Sequence, residues 1–314
     1  MNFDLGPDEL ALRDGIRDLC TGRFPMERVR KGFDRVGWRE LAEAGVFSLR
    51  LPDSEGGVGL GMTEAVIVFE ELGRALVPGP LVATHLAAGL VDGAATGEKV
   101  VTLVELRADE GLPSLIEHGS DADAVLVFEG DRVAVSDGCP DGESIPSLDP
   151  LTPILSNPAG LAGSRSTDAH VEQLRREGAV LTAALSSGIA SKLVDLAVAY
   201  ANERQQFDRP IGSFQAVKHM CADMLVRAEV ARSAVDAAGV LLDEDAPDAA
   251  RAVSTAKILA SEAAMANGKT CVQVHGGMGF TWEVDVHLYL KRAAVLATQF
   301  ESADVHAEAM AALL

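Results

Sequence analysis

Residues 204–218 read Arg204-Gln205-Gln206-Phe207-Asp208-Arg209-Pro210-Ile211-Gly212-Ser213-Phe214-Gln215-Ala216-Val217-Lys218. This stretch separates two helical patterns. Before it, Leu181, Leu185, Ile189, Leu193, Leu196 and Tyr200 recur at the period of a buried helix face. After it, an apolar pattern runs from Phe214 to about Leu242 and stops at the acidic segment Asp243–Asp248, which reads as a solvated turn. Two further helices follow, about Ala249–Val274 and Val286–Phe300. Four long helices of similar length predict an antiparallel four-helix bundle over 169–314.

Upstream the pattern changes twice. Residues 1–95 read as a helical domain. Pro7, Asp8 and Glu9 open its first helix, with Leu10, Leu12, Ile16 and Leu19 as the buried stripe. A short helix Trp38–Ala44 ends at Gly45, a plain glycine-rich loop occupies Gly56–Gly61, and a helix from about Thr63 to Leu76 is stopped by Pro78 and Pro80. Residues 96–168 form the middle. Val100–Val104, Ala124–Phe128 and Arg132–Val135 read as strands, and Glu129-Gly130-Asp131 as a hairpin turn. Pro140, Pro146, Pro150 and Pro153 predict irregular chain beyond them. A complete two-sheet domain takes ~100 residues, so this middle is a reduced β unit. The expected class is mainly α with a small β middle.

Composition bounds the function. Lys plus Arg number 27 and Asp plus Glu 47, a net charge of −20. Such a chain repels phosphate polyanions, so nucleic acid and anionic membrane surfaces are excluded as general partners. Cys20, Cys139, Cys221 and Cys271 are scattered, which predicts neither a zinc site nor a disulfide framework and fits a reducing cytoplasm. The opening residues lack an apolar signal core, and no unbroken apolar run of membrane-spanning length is evident. His219, His275 and His306 lack metal-ligand spacing.

Against that negative field, Arg204, Arg209 and Lys218 form a positive focus beside the start of the Phe214 helix, whose N–H groups favour anions. A diphosphate suits that focus, and Phe207 offers a flat face for a ring. A charged turn with Phe207 and Phe214 in the core fits the same residues. A second segment, Gln273-Val274-His275-Gly276-Gly277-Met278-Gly279-Phe280, ends a long helix. Its glycines admit close approach of a backbone or planar ligand, or serve only as a C-cap.

Taken together, Arg-x-x-Phe-x-x-Pro-Ile-x-x-x-Gln and Gln-x-x-Gly-Gly-x-Gly-Phe resemble the C-terminal domain of the acyl-CoA dehydrogenase flavoproteins. Gly37–Gly45, Glu70-Glu71-Leu72-Gly73-Arg74-Ala75-Leu76 and His287-Leu288-Tyr289-Leu290-Lys291-Arg292-Ala293 look like other segments of that family. The resemblance implies FAD as cofactor and an acyl-CoA thioester as substrate. A glutamate takes the α proton, the β hydride goes to flavin N5, and the electrons pass to an electron-transfer flavoprotein. It implies that Arg204, Phe207, Gln215, Gln273, Gly276 and Gly277 clasp the diphosphate and adenosine half of a flavin held mainly by a neighbouring subunit.

The family's Thr-Glu-Pro and Trp-Ile-Thr/Ser segments, which cover the flavin ring, are missing. In this the chain resembles the shortened subunit of the α2β2 acyl-CoA dehydrogenases of actinobacterial steroid breakdown, which work with a full-length partner. Gap-free counting from Arg292 places the family's catalytic glutamate at Glu301, with Ser302 and Ala303 in place of its Gly-Thr. The other register used in the family falls on Gly178, beside Glu177. Glu301 is the expected base, although a solvated carboxylate capping the next helix fits the same position. The competing expectation is a non-catalytic scaffold that only completes the partner's FAD site.

Overall fold

A computed structural model of the chain describes residues 5–106, 114–157 and 165–312, so the opening Met1–Asp4 lies outside it. The elements run in the expected order. First come α1 (Pro7–Arg23), α2 (Met26–Val29), α3 (Arg35–Glu43), α4 (Met62–Arg74) and α5 (Leu81–Ala87). Then follow β1 (Val101–Leu106), β2 (Ser114–Glu117), β3 (Ala124–Glu129), β4 (Arg132–Asp137), β5 (Glu143–Ile145), β6 (Ile154–Asn157) and β7 (Arg165–Ser166). The remainder is α6 (Val171–Glu203), β8 (Gln205–Gln206), β9 (Arg209–Pro210), α7 (Gln215–Asp243), α8 (Ala249–His275), α9 (Val286–Leu296) and α10 (Ala303–Ala311). The chain is mainly α with a small β portion.

One compact unit comprises residues 1–26, 62–77 and 179–314. Its helices cross closely where glycine removes the side chain. A Cβ on Gly188 of α6 would lie 1.9 Å from the Glu70 carbonyl oxygen of α4, and one on Gly73 would lie 2.1 Å from the Leu185 carbonyl oxygen. Asn267, fully buried on α8, ties three helices together. Its amide donates to Ala190 O of α6 at 3.1 Å and to Met224 O of α7 at 3.0 Å, and its Oδ1 accepts from Arg227 Nε at 2.9 Å. Tyr289 and Arg292 of α9 are buried and donate to Arg74 O and Val77 O, each at 3.1 Å. Two of the segments that carry the family resemblance thus meet.

Two readings of this unit are corrected. Of the α1 stripe only Ile16 is buried, while Leu10 is exposed. Asp243 is no bystander in a solvated turn: its carboxylate accepts Met62 N–H at 2.6 Å and Thr63 N–H at 2.8 Å, capping the start of α4. Helix α6 is, by length and mean composition, apolar enough to cross a membrane, and 78% of its most apolar window is buried inside the fold. It has the character of a core helix.

The other unit comprises residues 27–61 and 78–178. A four-stranded sheet has the order β1-β3-β4-β7, with β1 parallel to β3 and the other pairs antiparallel. A second, antiparallel sheet has the order β2-β6-β5. Val104, Ile116, Val125, Val127 and Ala134 form the core of this β portion. Where irregular chain was expected after β4, the short strands β5, β6 and β7 pair instead. Gly45, at φ 81°, ends the Trp38 helix as expected. Trp38 is buried, and its ring meets that of Phe47 at a tilt of 35° with centroids 4.4 Å apart.

Candidate active site

Arg204 begins where α6 stops. Its N–H still donates to Tyr200 O at 2.9 Å, while its own carbonyl accepts from Ile211 N–H at 2.8 Å. Between these bonds the chain forms a tiny hairpin, with Gln205 opposite Pro210 and Gln206 opposite Arg209. The two turn residues, Phe207 and Asp208, sit at φ 54° and 59°. A two-residue turn of this hand ordinarily uses Asn-Gly. Left-handed backbone costs an ordinary residue about 1–2 kcal/mol, and such strain concentrates at functional positions.

Phe207 is 85% exposed at the tip of this hairpin, which overturns the reading of a core phenylalanine. Its ring meets Phe214 edge-on at 6.1 Å. Arg209 is drawn onto Phe214 as well, its guanidinium 4.1 Å from the ring centroid. The guanidinium of Arg204 is exposed and makes no hydrogen bond or ion pair among the described residues. Gln215, the first residue of α7, is exposed with its amide 3.5 Å from His219 Nε2. Phe214 at the N-cap position offers no side-chain cap, and none is seen among the described residues, to the N–H groups that open α7.

The second segment lies beside the first. Tyr200 and His275 stack at 4.1 Å with their rings 22° apart, and the Tyr200 hydroxyl donates to His275 O at 3.5 Å. His275 is buried, and its Nδ1 donates to Cys271 O at 2.8 Å. Burial lowers its pKa, so the ring is neutral. Tyr200 precedes Arg204 by one helical turn, and His275 directly precedes Gly276. The stack therefore brings the hairpin and the glycine turn together. Gly276 adopts φ 60°, ψ −139°, a region essentially reserved for glycine. Gly276 and Gly277 are exposed, with no atom within 4 Å of where a Cβ would stand. Gln273 is exposed one turn earlier.

This arrangement has the chemistry of a dinucleotide clasp. It offers an uncommitted guanidinium, uncapped helix N–H groups, bare glycine backbone, two amides and a projecting ring. Groups of these kinds suit a diphosphate and a flat ring. Tyr200, which joins the two segments, reads in the sequence only as the last residue of a buried helix face; its spacing of four from Arg204 was the available signal for a role at the site.

Glu301 lies on a separate turn after α9. It is half-buried, and both it and Phe300 are left-handed, at φ 73° and 49°. The next helix, α10, starts immediately after it, with Ser302 at the N-cap position. Glu177 is committed elsewhere. Arg50 grips its buried carboxylate with two hydrogen bonds, Nη1 at 2.8 Å and Nη2 at 2.9 Å, and Gln173 Nε2 donates a third at 3.0 Å. Burial alone would raise its pKa, but the Arg50 guanidinium outweighs that and holds it below the usual carboxylate value.

Comparison with known proteins identifies the family. The family model described as the acyl-CoA dehydrogenase N-terminal domain matches residues 6–99, and that described as the C-terminal domain matches residues 171–312. The chain is 36% identical over 298 residues to the acyl-CoA dehydrogenase IpdE2 of Mycolicibacterium smegmatis, covering 90% of this chain and 91% of that protein. Among solved structures, the Tcur3481-Tcur3483 steroid ACAD G363A variant superposes with a TM-score of 0.83 at 23% identity, over 99% of this chain and 98% of that one. The FAD complex of PigA gives 0.84 at 19% identity, over 100% and 99%. Both end domains, their motifs and their order thus lead to one conclusion: the chain belongs to the acyl-CoA dehydrogenase family.

Proposed function

We propose that this chain is one subunit of a heteromeric, FAD-dependent dehydrogenase that desaturates a bulky, steroid-derived acyl-CoA. The observation that carries the reading is the outward-facing clasp, whose hairpin and glycine turn are joined through Tyr200 and His275 and aim their groups away from this chain's own core. Three further points support it. The relative IpdE2 is an acyl-CoA dehydrogenase of nearly the same length. One structural neighbour is a steroid dehydrogenase named for two gene products. The middle portion, taken as 96–168, lacks the family's ring-covering segments.

In this reading Arg204 pairs with the flavin diphosphate, the N–H groups opening α7 add to that field, Phe207 lies against the adenosine half, and Gln215 and Gln273 hydrogen-bond it. Gly276 and Gly277 let their backbone come into contact with it. The flavin supplies acceptance of the substrate's β hydride. Glu301 removes the α proton as general base. The product is a trans-2-enoyl-CoA, and an electron-transfer flavoprotein reoxidises the complex. The partner is a full-length subunit that houses the flavin ring, in an α2β2 assembly in the cytoplasm.

The test is purification of the chain alone and with a co-expressed full-length partner of the family. The complex is expected to be yellow and to reduce a dye with acyl-CoA, the chain alone colourless. Arg204→Met should lower flavin retention at least tenfold without changing the chain's thermal stability, because its side chain has nothing to lose in the isolated fold. Glu301→Gln should cost at least a hundredfold in turnover, the scale of general-base removal. Unaltered turnover would assign the chain a scaffolding role instead.

A further inference from the structure

Lys257 lies in the first half of α8 and is fully buried. A buried ammonium persists only where acceptors replace water. Its Nζ donates to Leu296 O at 3.1 Å and Ala297 O at 3.3 Å, and lies 3.5 Å from Ser261 Oγ. The two carbonyls belong to the C-terminal end of α9, where the helix dipole favours a cation. Burial lowers the Lys257 pKa to about 8, and the Glu301 carboxylate acts against that fall.

Just beyond these carbonyls the backbone is left-handed at two successive residues, Phe300 and Glu301. Ordinary side chains hold that shape only where their surroundings impose it. A second support comes from α10. His306 Nε2 lies 2.9 Å from Phe300 O, so that nitrogen carries the proton and donates. Its Nδ1 is thereby the acceptor for the Ser254 hydroxyl at 3.1 Å. Burial lowers the pKa of His306, favouring this neutral form. Ser254 and Lys257 are three residues apart on α8, hence neighbours on one face. Helix α8 thus grips the two flanks of the turn, one directly and one through His306.

We propose that Lys257 is a positioning residue for Glu301: with the Ser254–His306 pair it clamps the 297–302 turn and fixes where the Glu301 carboxylate is presented. The inference rests on the reading of Glu301 as the base. The clamp belongs to this chain's own fold and needs no ligand.

The experiment is hydrogen–deuterium exchange by mass spectrometry on the complete chain, paired with steady-state kinetics of the assembled complex. Lys257→Met is expected to speed exchange in residues 297–303 at least tenfold while α7 stays protected. It should lower kcat at least tenfold with KM within twofold. His306→Ala should act in the same direction and serves if Lys257→Met does not fold. His306→Gln should restore protection, because its amide can donate to Phe300 O. Unchanged exchange at 297–303, or equal acceleration throughout α6, α7 and α8, overturns the clamp. A loosened turn with unaltered kcat leaves the clamp standing and removes Glu301 from the chemistry.

Discussion

The Arg50–Glu177 pair gives a sharp test of the electrostatic reasoning, because one partner is much more deeply buried than the other. The Glu177 side chain is 9% exposed and that of Arg50 27%. Arg50→Met removes both guanidinium bonds and leaves the carboxylate only the Gln173 amide. Breaking a fully buried pair costs about 3–5 kcal/mol. Arg50's partial exposure reduces this to about 2–4 kcal/mol at pH 7. The sign with pH is fixed. In the native protein the folded-state pKa of Glu177 lies below 4.5. Its contribution is therefore present above the unfolded value and lost as pH falls through the folded one. In the variant burial wins and the pKa rises, so the same group costs stability as pH climbs past about 4.5. The deficit should be close to full at pH 7 and much smaller near pH 4. Urea unfolding followed by fluorescence at both pH values measures it. Trp282→Phe in both proteins leaves buried Trp38 as the only tryptophan reporter, in the same compact unit as the pair. A loss under about 1 kcal/mol, or one equal at both pH values, would refute the account. Since Glu177 is committed to Arg50, Glu177→Gln in the assembled complex should leave turnover within twofold.

Two further outcomes follow from packing and burial. Gly188→Ala would set a Cβ 1.9 Å from Glu70 O and 2.8 Å from Arg74 N, backbone atoms that cannot swing aside. The helices must separate, at a cost of about 1–3 kcal/mol or more; an unchanged melting temperature would contradict the close crossing of α4 and α6. Glu70 and Asp236 line a polar cavity of about 500 Å³ bounded by α1, α4, α6 and α7. Burial, then the nearby Asp236, pushes the Glu70 carboxyl up to about 7. The native protein therefore loses stability as pH rises from about 4.5 towards 7. Glu70→Gln should melt higher than the native chain at pH 8 and alike at pH 5, and melting curves at those two values decide the matter.

The long helices were legible because their apolar residues repeat over many turns and nothing polar competes. Strands β3 and β4 were legible for a related reason: Ala124–Phe128 and Val133–Ser136 are buried throughout, so both read as apolar runs. Strands β5 and β6 lie among prolines, carry mixed polarity and, apart from buried Asn157, are exposed or only partly buried, and none of these features signals a strand. The hairpin at 205–210 was read as a loop because Phe207-Asp208 is not a recognisable turn pair; the shape is imposed from outside the dipeptide. Site residues emerged where a motif holds them in sequence order. Lys257, Asp243 and Tyr200 did not, since each acts on a partner at least 39 residues away. Tertiary docking creates such roles, and a one-dimensional pattern carries no trace of it.

Phe207 has one more consequence, this time for the life of the chain in the cell. A freshly made copy carries a rigid aromatic knob in water, with Phe280 at 78% and Trp282 at 61% exposure elsewhere in the same unit. Such grease invites aggregation and quality-control proteases unless it is covered, and in the heteromeric reading proposed above a companion subunit covers it. Its abundance should then follow the supply of that companion rather than its own rate of synthesis, so that surplus copies are cleared and stoichiometry corrects itself.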